Sequence, residues 1–559
     1  MENHQIADQF SLLSKLMDIH GENEFKAKSY AAAAFSIDKL LTPLHQLTFD
    51  QIANQKGIGL SAAQKIREIL ETGKIAALDK IIEATPPGIL EMIKIKGIGP
   101  KKINTIWKEM EIETIGELEY ACLENRLKRY KGFGEKTQQN VLESIRFYQQ
   151  SKGRYLYAEL EAIMPIILDQ IGSIFPECKM TVTGEFARQL EIIDTVELLI
   201  AGEQSKLDQG INNIPAEWLT KVSSTHFIFT NPLEIRVHLH LCEPSSYISN
   251  SIQKSSSETF WEALQKIEPR TNTIVLNDEI DFFTARQIPF IPPFLREDPA
   301  MLQKIDSISL DDIIQKKDIK GIIHSHSTWS DGSNSIEEMA EAAIASGFEY
   351  LVISDHSQSA FYAQGLSSEK VLEQHRLIDI LNEKYKPFKI FKSIESDILN
   401  DGKLDYPDEI LERFDLVIAS VHSNLKMNLE KSMMRLSNAV KNHYTTILGH
   451  PTGRLLLSRP GYPVDMSTLI SLCAEHDVVI ELNAHPRRLD MDWRFIQEAK
   501  DKQVLISIDP DAHMTEGFED IEYGVKVAQK GGLRKKGNLS SFSLDEMYAF
   551  LEKQKSKRK

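Results

Sequence analysis

The chain has 559 residues, which is too long for one hydrophobic core and predicts three or four domains. Its hydrophobic content of 42% and charged content of 26% are those of ordinary globular proteins and exclude a disordered chain. The net charge of -16 is uncommon for a protein that binds nucleic acid, but it is an average that leaves room for local basic surfaces.

Secretion and membrane insertion are not expected from the sequence. The N-terminal residues lack the basic-then-apolar order of a signal peptide, and there is no apolar run of about 18 residues. Cys122, Cys178, Cys242 and Cys473 are far apart and form no Cys-x-x-Cys pair, which argues against a disulfide framework or a zinc ribbon. The sequence therefore predicts a cytoplasmic protein without a membrane partner.

The N-terminal region contains three copies of a glycine motif. Residues 52–66, 92–103 and 127–141 each contain Lys-Gly, an apolar residue and a second Gly, followed by a helical pattern. Such a turn directs backbone N–H groups outward at a helix N-terminus, where a phosphate can bind. The residues expected to contact the DNA backbone, without reading its sequence, are Gly57, Gly59, Gly97, Gly99, Gly132 and Gly134. The alternative is a purely structural αα-hairpin repeat.

These repeats resemble helix-hairpin-helix motifs, and residues 23–40 together with 57–75 resemble the N-terminal lyase domain of family X DNA polymerases. In that family a lysine shortly after the first Gly-x-Gly can form a Schiff base with a deoxyribose phosphate. Lys65 matches that lysine, but a second lysine of the family's lyases is Ser61 here. We therefore favour a solvated helix lysine over a lyase nucleophile at Lys65.

Residues 179–202 resemble the nucleotidyltransferase strand-turn-strand of the same family. Its polymerase reaction uses two metal ions, held by carboxylates at i and i+2 of a strand because those side chains share a face. The family pattern is Gly-Ser, two arginines and Asp-x-Asp, with a third Asp on a neighbouring strand. The matching positions here are Gly184, Glu185, Ala187, Arg188, Thr195, Glu197 and Glu234.

The departures from this pattern predict a polymerase fold whose reaction is lost. Threonine at position 195 cannot replace a carboxylate shared by two ions, and Glu185 places negative charge where a triphosphate would bind. The family's Tyr-Phe-Thr-Gly-Ser block has no counterpart in residues 247–264, whereas residues 288–298 match the family's closing segment. Pairing Asp194 with Val196 in a shifted register would not restore the site.

Ten of the 16 histidines lie beyond residue 316, several of them at the ends of apolar, β-branched runs. Such runs are typical of buried parallel strands that present side chains at their carboxyl ends, and the segments between them predict helices. Repeated units of this kind predict a β/α barrel with its site at one face. The residues expected to converge there are His324, His326, Asp331, His356, Glu395, His422, His450, Asp511 and His513. Nine nitrogen and oxygen ligands suit two or three divalent ions such as Mn²⁺, Zn²⁺ or Fe²⁺.

These segments resemble the polymerase-and-histidinol-phosphatase (PHP) domain, a distorted β/α barrel, and the order of the whole chain resembles bacterial family X DNA polymerases. The predicted architecture is multidomain: an α-helical lyase-like and helix-hairpin-helix region at 1–150, an α+β nucleotidyltransferase-like palm at 151–312, and a PHP barrel at 317–559. Two further matching segments offer Arg454 and Arg487 as phosphate clamps. Asp355 is a candidate partner of a ligand histidine or a general acid.

The resemblance implies a Mn²⁺-dependent 3′-5′ exonuclease for DNA repair, sometimes also a 3′-phosphatase or abasic-site endonuclease, acting by metal-assisted phosphodiester hydrolysis. One alternative is an active gap-filling polymerase whose PHP domain proofreads. A small-molecule PHP phosphatase is a second alternative, against which the three DNA-binding motifs argue. A third, a non-catalytic DNA scaffold, is disfavoured by the nine-residue ligand set.

Overall fold

The computed structural model describes residues 3–40, 42–95, 97–150, 153–231, 235–270, 276–305 and 309–558. The chain forms two compact units, Met1–Tyr148 and Gln149–Lys559. Within the described ranges, no helix is long and apolar enough to cross a membrane. The finer predicted boundaries at residues 312 and 317 stay predictions.

The first unit is helical. Its helices, in chain order, are α1 (Asn3–His20), α2 (Glu24–Asp38), α3 (Phe49–Ala53), α4 (Leu60–Thr72), α5 (Ala76–Glu83), α6 (Pro87–Met92), α7 (Pro100–Lys108), α8 (Ile115–Leu123) and α9 (Glu135–Gln150). Helix α1 buries Ile6, Phe10, Leu13 and Met17, a spacing that places these side chains on one helix face. The unit therefore has its own core, formed by apolar helix faces.

Each glycine motif forms the turn that its sequence predicts. The first glycine has a left-handed φ in every copy, 87° at Gly57, 87° at Gly97 and 93° at Gly132, where L side chains are strained. The apolar residue between the two glycines is buried in each copy. The second glycine directly precedes α4, α7 or α9. The predicted backbone geometry is thus present, while contact with DNA stays a prediction.

The second unit begins with an α+β region, the palm. A short antiparallel pair, β1 (Tyr155–Leu156) and β3 (Ile192–Ile193), flanks a five-stranded sheet of order β2-β4-β7-β6-β5. The strands of that sheet are β2 (Lys179–Thr183), β4 (Val196–Ala201), β5 (Leu219–Lys221), β6 (His226–Thr230) and β7 (Arg236–Cys242). The β4–β7 pair is parallel and the other described pairs of this sheet are antiparallel. The helices are α10 (Tyr157–Ile174), α11 (Gly184–Ala187), α12 (Gln204–Asn212), α13 (Tyr247–Lys254), α14 (Glu258–Gln265), α15 (Glu279–Thr284) and α16 (Met301–Lys304).

The rest of the second unit is a distorted parallel barrel. Its strands are β8 (Gly321–Ser325), β9 (Tyr350–Ile353), β10 (Lys389–Lys392), β11 (Glu395–Asp397), β12 (Ile418–Ser420), β13 (Ile447–Leu448), β14 (Val479–Asn483) and β15 (Ile506–Asp509). They form two parallel sheets, β10-β9-β8 and β11-β12-β13-β14-β15. Single bridges join Ser325 to Ala512 and His356 to Glu395, which links the two sheets at both borders. The predicted fold class is confirmed.

Helices alternate with the barrel strands and cover them. They are α17 (Ile336–Ala345), α18 (Ser368–Lys384), α19 (Asp408–Leu411), α20 (Leu429–Val440), α21 (Met466–Glu475), α22 (Ile496–Asp501), α23 (Ile521–Lys530) and α24 (Leu544–Ser556). Strand residues such as Ile322, Leu351 and Ile480 are fully buried and pack into a single large core with the helices. Burial on both faces explains why these strands have continuous apolar sequences.

Four ion pairs join palm carboxylates to barrel cations; we call this set the junction. The pairs are Glu159 with Arg487 (3.3 Å), Glu191 with Arg454 (3.5 Å), Glu161 with Lys526 (2.9 Å) and Glu297 with Lys530 (3.5 Å). The Lys530 side chain is fully buried, and its Nζ also donates to the Arg188 carbonyl oxygen at 3.0 Å. The junction therefore places charged groups from two parts of the second unit in direct contact.

Candidate metal centre

The nine residues predicted as metal ligands gather at one end of the barrel. His324 lies in β8, Glu395 begins β11, and the others lie in loops that follow β8, β9, β12, β13 or β15. Because the strands are parallel, their carboxyl ends meet at the same face. We call these nine residues the cluster. Eight of them are less than 7% exposed, and the ninth, His422, has a side chain that is 10% exposed.

Glu395 lies at the centre of the cluster. Its Oε1 is 3.3 Å from His324 Nε2 and 3.0 Å from the Nε2 atoms of both His422 and His450. Its Oε2 lies 2.9 Å from His356 Nδ1. A carboxylate with four imidazoles around it could hold a divalent ion together with some of them.

Two aspartates complete the arrangement. Asp331 lies 3.5 Å from the Nε2 atoms of both His356 and His513. Asp511 Oδ1 lies 3.1 Å from His326 Nε2. Three sets of residues each offer ligand atoms that all lie within 4.8 Å of one another. The sets are His326, Asp331, His356 and His513; His324, His326 and Asp511; and His356, Glu395 and His422.

The chemistry of the cluster fits divalent cations. Among the described residues, His324 Nε2, His326 Nδ1, Asp331 Oδ2 and Glu395 Oε2 are buried, and although they lie near other cluster atoms, none makes a hydrogen bond of good geometry. A buried polar atom without a partner costs about 1–3 kcal/mol, and a cation bound to these atoms would remove that cost. Imidazole nitrogen and carboxylate oxygen suit borderline and hard ions rather than soft ones.

The charges in the cluster compensate one another. Burial opposes the charged form of His324, but Asp511 and Glu481 outweigh it and hold the pKa of His324 well above its ordinary value. Burial also opposes ionisation of Glu395, yet His422 and His324 hold the pKa of Glu395 well below its ordinary value. The buried carboxylates are thus compensated by protonated imidazoles, and a divalent ion that binds here would displace those protons.

Two further carboxylates, Glu481 and Asp397, hold the cluster in place and were missed by the sequence analysis. Glu481 contacts His324 Nδ1 and accepts the backbone N–H of His450. Asp397 contacts His422 Nδ1. Carboxylates that bind the second nitrogen of a ligand histidine fix its tautomer and orientation. A signal existed for Asp397, which stands two residues after Glu395 and therefore near it on the same strand.

Three cluster residues, His324, His450 and Asp511, have a positive φ, and the first and third lie well inside the left-handed region. His324 and Asp511 have left-handed φ values of 59° and 53°. Such conformations cost about 1–3 kcal/mol in residues other than glycine and are found mainly at functional sites. The fold therefore loses some stability in directing these two side chains.

Asp355, a candidate catalytic residue, lies behind the loop that carries His326 and Asp331. Its carboxylate accepts hydrogen bonds from the backbone N–H of Ser327 (2.8 Å), the hydroxyls of Ser327 and Ser330, and the side-chain amide of Gln374 (2.7 Å). The residue is fully buried. This geometry fits a residue that positions the loop better than it fits a general acid.

The two candidate phosphate clamps both reach the palm. Arg454 donates to the carbonyl oxygens of Arg488 and Leu489 and to Asp492, in addition to its junction pair. The Arg487 side chain is 4% exposed and pairs with Glu159. A neighbouring residue, Arg488, lies closer to the cluster, with its Nε 3.7 Å from Asp511 Oδ2.

The remaining polar residues of the predicted polymerase site are paired with neighbouring groups of the palm. Glu185 accepts the backbone N–H groups of Asp194 (2.6 Å) and Thr195 (3.1 Å). Arg188 Nε donates to Glu297. Thr195 immediately precedes β4. These contacts hold the local turn together.

Glu197 occupies the second position of the predicted Asp-x-Asp pair, and its carboxylate is hydrogen-bonded to a neighbouring histidine. Its Oε2 lies 2.9 Å from His240 Nε2. Gly184 has a φ of 68°, and a Cβ atom there would lie 2.6 Å from Glu197 Oε1, so glycine is required. Glu234, the third predicted carboxylate position, lies outside the described residues.

In the helical unit, Lys65 is a partly buried residue of α4, and its Nζ lies 3.5 Å from Glu68 Oε2. Its side chain is 19% exposed. The ion pair is compatible with a structural helix lysine, and lyase chemistry at this residue stays a prediction.

Comparisons with known proteins agree with this architecture. Residues 1–75 match a helix-hairpin-helix domain model, residues 89–146 a SAM-like helix-hairpin-helix tandem, and residues 323–516 the PHP domain. The DNA polymerase/3'-5' exonuclease PolX of Bacillus subtilis (strain 168) is 31% identical over 573 residues, covering 99% of this chain and 100% of the relative. A probable phosphatase of Thermoanaerobacter sp. (strain X514) is 28% identical over 221 residues, 38% of this chain and 85% of the relative.

The parallel barrel and its buried histidine–carboxylate cluster define the C-terminal part as a PHP domain. The match to the Bacillus subtilis protein extends over the palm and the helical unit as well. The chain belongs to the PolX family, the bacterial family X DNA polymerases with a C-terminal PHP domain.

Proposed function

We propose that this protein is a metal-dependent 3′-5′ exonuclease and phosphoesterase that acts on DNA through its barrel, and that its palm no longer catalyses nucleotide addition. The observation that carries the proposal is the nine-residue cluster, in which Glu395 is surrounded by four imidazoles at 2.9–3.3 Å. The name of the Bacillus subtilis relative includes the same exonuclease activity.

The three overlapping ligand sets of the cluster would hold two or three divalent ions, with Mn²⁺ the expected ion for activity. Bound there, the ions would supply charge neutralisation at the phosphate and a nucleophilic water at neutral pH. Glu481 and Asp397 would keep His324 and His422 aimed at the ions through their Nδ1 contacts. Asp355 would hold the loop that presents His326 and Asp331.

The arginines near the cluster differ in the residues that they contact, and these contacts separate structural arginines from a candidate phosphate-binding one. Arg454 and Arg487 were predicted to bind phosphate, and their junction pairs make them residues that fix the barrel loop against the palm. Arg488 is a better placed candidate for phosphate because it approaches Asp511 within the site. Its short distance to a ligand carboxylate would put a guanidinium beside a phosphate held by the same ions.

The proposal that polymerase activity is lost rests on the palm contacts. Two-metal nucleotide addition needs carboxylates that face a common point, and this palm has Thr195 in place of the first. Glu197 is paired with His240, and Glu185 is turned into its own loop by two backbone N–H groups. Arg188 is paired with Glu297, which removes it from a role in binding triphosphate.

The helical unit would supply the affinity for DNA. Its three turns have the left-handed glycines and following helices that an anion-binding backbone turn requires. Binding of this kind contacts phosphates and leaves the bases unread, so affinity would fall as salt concentration rises.

The test is a primer-gap assay with Mn²⁺, with and without deoxynucleoside triphosphates, on wild type and Asp511→Asn. We expect wild type to shorten the primer, the variant to leave it intact, and neither protein to extend it. Extension by Asp511→Asn would contradict the loss of polymerase activity and support the alternative, a gap-filling polymerase with a proofreading barrel. Shortening by Asp511→Asn would contradict the assignment of the nuclease to the cluster.

A small-molecule phosphatase is the second candidate, and the match of the barrel to probable phosphatases favours it. A comparison of kcat/KM for a DNA 3′ end and for p-nitrophenyl phosphate separates the two. We expect DNA to be preferred by about 100-fold or more, since the helical unit adds binding energy only for DNA. Equal values would favour the phosphatase.

A further inference from the structure

One phenylalanine of the barrel has an almost fully exposed side chain. Phe361 is 86% exposed, the highest value among the large apolar side chains of the barrel that the structure describes. The next highest value in the barrel is 65%, at Ile380. Single exposed apolar residues are common on protein surfaces, so the position of this ring and its surroundings decide whether it has a role.

Phe361 lies in the loop that follows strand β9. That loop also carries the cluster residue His356, and it returns to this residue, because the backbone N–H of Leu366 donates to the His356 carbonyl oxygen at 2.8 Å. The carboxyl ends of the strands in a parallel barrel meet at one face, so the loop lies at the face that carries the cluster. Phe361 is therefore a surface residue of the candidate active-site face.

Ser359 connects this loop to the exposed edge of the cluster. Its Oγ donates to Asp397 Oδ2 at 2.8 Å, and Asp397 Oδ1 contacts Nδ1 of His422. His422 is the cluster residue with the most exposed side chain, at 10%. Two residues of chain span at most about 7 Å, so the backbone of Phe361 lies close to Ser359 and to this edge of the cluster.

The backbone that carries the exposed ring is firmly held. Ala360 and Ala363 are fully buried. The backbone N–H of Ser359 donates to Asp405 Oδ2 at 2.6 Å, and that of Gly365 donates to the Ala360 carbonyl oxygen at 3.1 Å. An aromatic ring on a fixed backbone binds with little loss of conformational entropy, because only two side-chain torsions must be ordered. The ring is thus presented to solvent by a well-anchored turn.

A nucleobase is the group best suited to cover this ring. Every base has a flat π face, and stacking on an exposed aromatic side chain is a contact to nucleic acid that does not depend on sequence. The helix-hairpin-helix matches at residues 1–75 and 89–146 favour DNA over a protein as the molecule that reaches this face. A phosphate at the cluster would be common to DNA and to small phosphate esters, so a stacked base would distinguish the two.

We propose that Phe361 stacks on a base at the 3′ end of DNA and so positions the neighbouring phosphodiester at the cluster. This role rests on the proposed exonuclease function and adds a residue that recognises the nucleotide rather than its phosphate. Because any base can stack on the ring, the contact would favour nucleotides over other phosphate esters without a sequence preference. The hydrolytic step itself would stay with the metal ions and their ligands.

The first test compares two single-stranded oligonucleotides in the presence of Mn²⁺. One has ordinary nucleotides, and the other has tetrahydrofuran in place of the last three nucleosides, which removes the bases and keeps the phosphates. We expect Phe361→Ala to lower kcat/KM for the ordinary 3′ end about tenfold, chiefly by raising KM. The variant should match wild type on the base-free end, because there is no stacking to lose. Equal losses on both substrates would overturn the proposal.

Two matched variants separate stacking from structural effects. Phe361→Tyr keeps an aromatic ring and should stay within about twofold of wild type on the ordinary end. Ile380→Ala removes another exposed apolar side chain, on α18, and should match wild type on both ends. Failure of wild type to shorten the ordinary oligonucleotide would refute the exonuclease function itself. Equal kinetics of wild type and Phe361→Ala would leave that function intact and overturn the role of Phe361 alone.

A second measurement keeps Phe361 in place and so does not depend on the folding of a Phe361 variant. The Asp511→Asn protein, which is expected to bind DNA without degrading it, is irradiated with an oligonucleotide that carries 5-iododeoxyuridine at its 3′ end. Peptide mass spectrometry then locates the cross-link. We expect it at Phe361, and competition by the ordinary oligonucleotide should reduce it. Cross-links confined to other residues would overturn the proposal.

Discussion

The barrel cluster and the palm residues Glu197 and His240 have opposite surroundings. In the barrel, Glu395 and its imidazoles are almost fully buried, and each charge is balanced by another inside the cluster. On the palm, Glu197 and His240 are partly exposed, and water can satisfy a residue whose neighbour is changed. Removing one partner of a buried charge group costs about 3–5 kcal/mol, whereas at an exposed position the cost is small. A buried site is therefore difficult to lose one residue at a time, while an open one tolerates gradual substitution.

The largest expected effect is the loss of exonuclease activity caused by Asp511→Asn in the barrel. Loss of a carboxylate that faces His326 and His324 should lower exonuclease kcat by about a thousandfold, equivalent to roughly 4 kcal/mol of transition-state stabilisation. DNA affinity, measured by fluorescence anisotropy, should stay within about twofold, because the proposed DNA-binding turns lie in the helical unit.

The matched control is Asp401→Asn, an aspartate of the same barrel whose side chain is 56% exposed. It should retain wild-type kcat. If both variants degraded DNA equally fast, the buried cluster would not be the nuclease site.

Metal removal should sharpen the difference between the two regions. Ions bound at about a thousand times their dissociation constant stabilise the folded state by roughly 4 kcal/mol per site. Chelation by EDTA should therefore lower the midpoint of thermal unfolding of wild type by roughly 10 °C. Asp511→Asn should show a clearly smaller decrease. An equal decrease in both proteins would show that the stabilising ions bind elsewhere.

The junction contains a buried cation, Lys530 of the barrel, and Glu297→Gln in the palm removes its ion-pair partner. The Lys530 side chain is fully buried and would keep only the Arg188 carbonyl among its described hydrogen bonds. The free energy of unfolding should fall by about 3 kcal/mol, read from chemical denaturation. Glu177→Gln removes an exposed palm pair with Lys206 and should leave the midpoint unchanged. Equal stability of the two variants would contradict a structural role for the junction.

The smallest effect concerns the glycine turns of the helical unit. Gly97 has a φ of 87°, and a Cβ atom there would have no described atom within 4 Å, so Gly97→Val acts through backbone strain rather than through a clash. A backbone shift of this turn should weaken DNA binding about tenfold, measured by anisotropy at constant salt. Gly347→Val is the control, since Gly347 in the barrel has a similar φ of 83° and similar open space. Equal DNA affinity of both variants would argue against the glycine turns as the binding surface.

Much of the architecture was accessible from sequence because it depends on local patterns. Apolar runs that end in histidine predicted the strand ends of the barrel, and repeated Gly-x-Gly predicted the three turns before helices. Glu481 was not predicted, because its role comes from contact with His324, a residue 157 positions away. The pairing of Arg454 and Arg487 with palm carboxylates was missed for the same reason. Motifs identify which side chains meet at strand ends, but they do not identify which carboxylate pairs with a long arginine side chain.

The junction has a consequence for the history of the chain. A palm that had lost nucleotide addition would still be needed as a counter-ion surface, because Lys530 and Arg487 are buried against its carboxylates. Deleting the palm would expose the barrel's cations and its apolar surroundings together, a change much larger than any single substitution in the palm. Selection can thus let the palm's catalytic residues drift while it retains the domain, so that a domain persists in a genome after its original chemistry has gone.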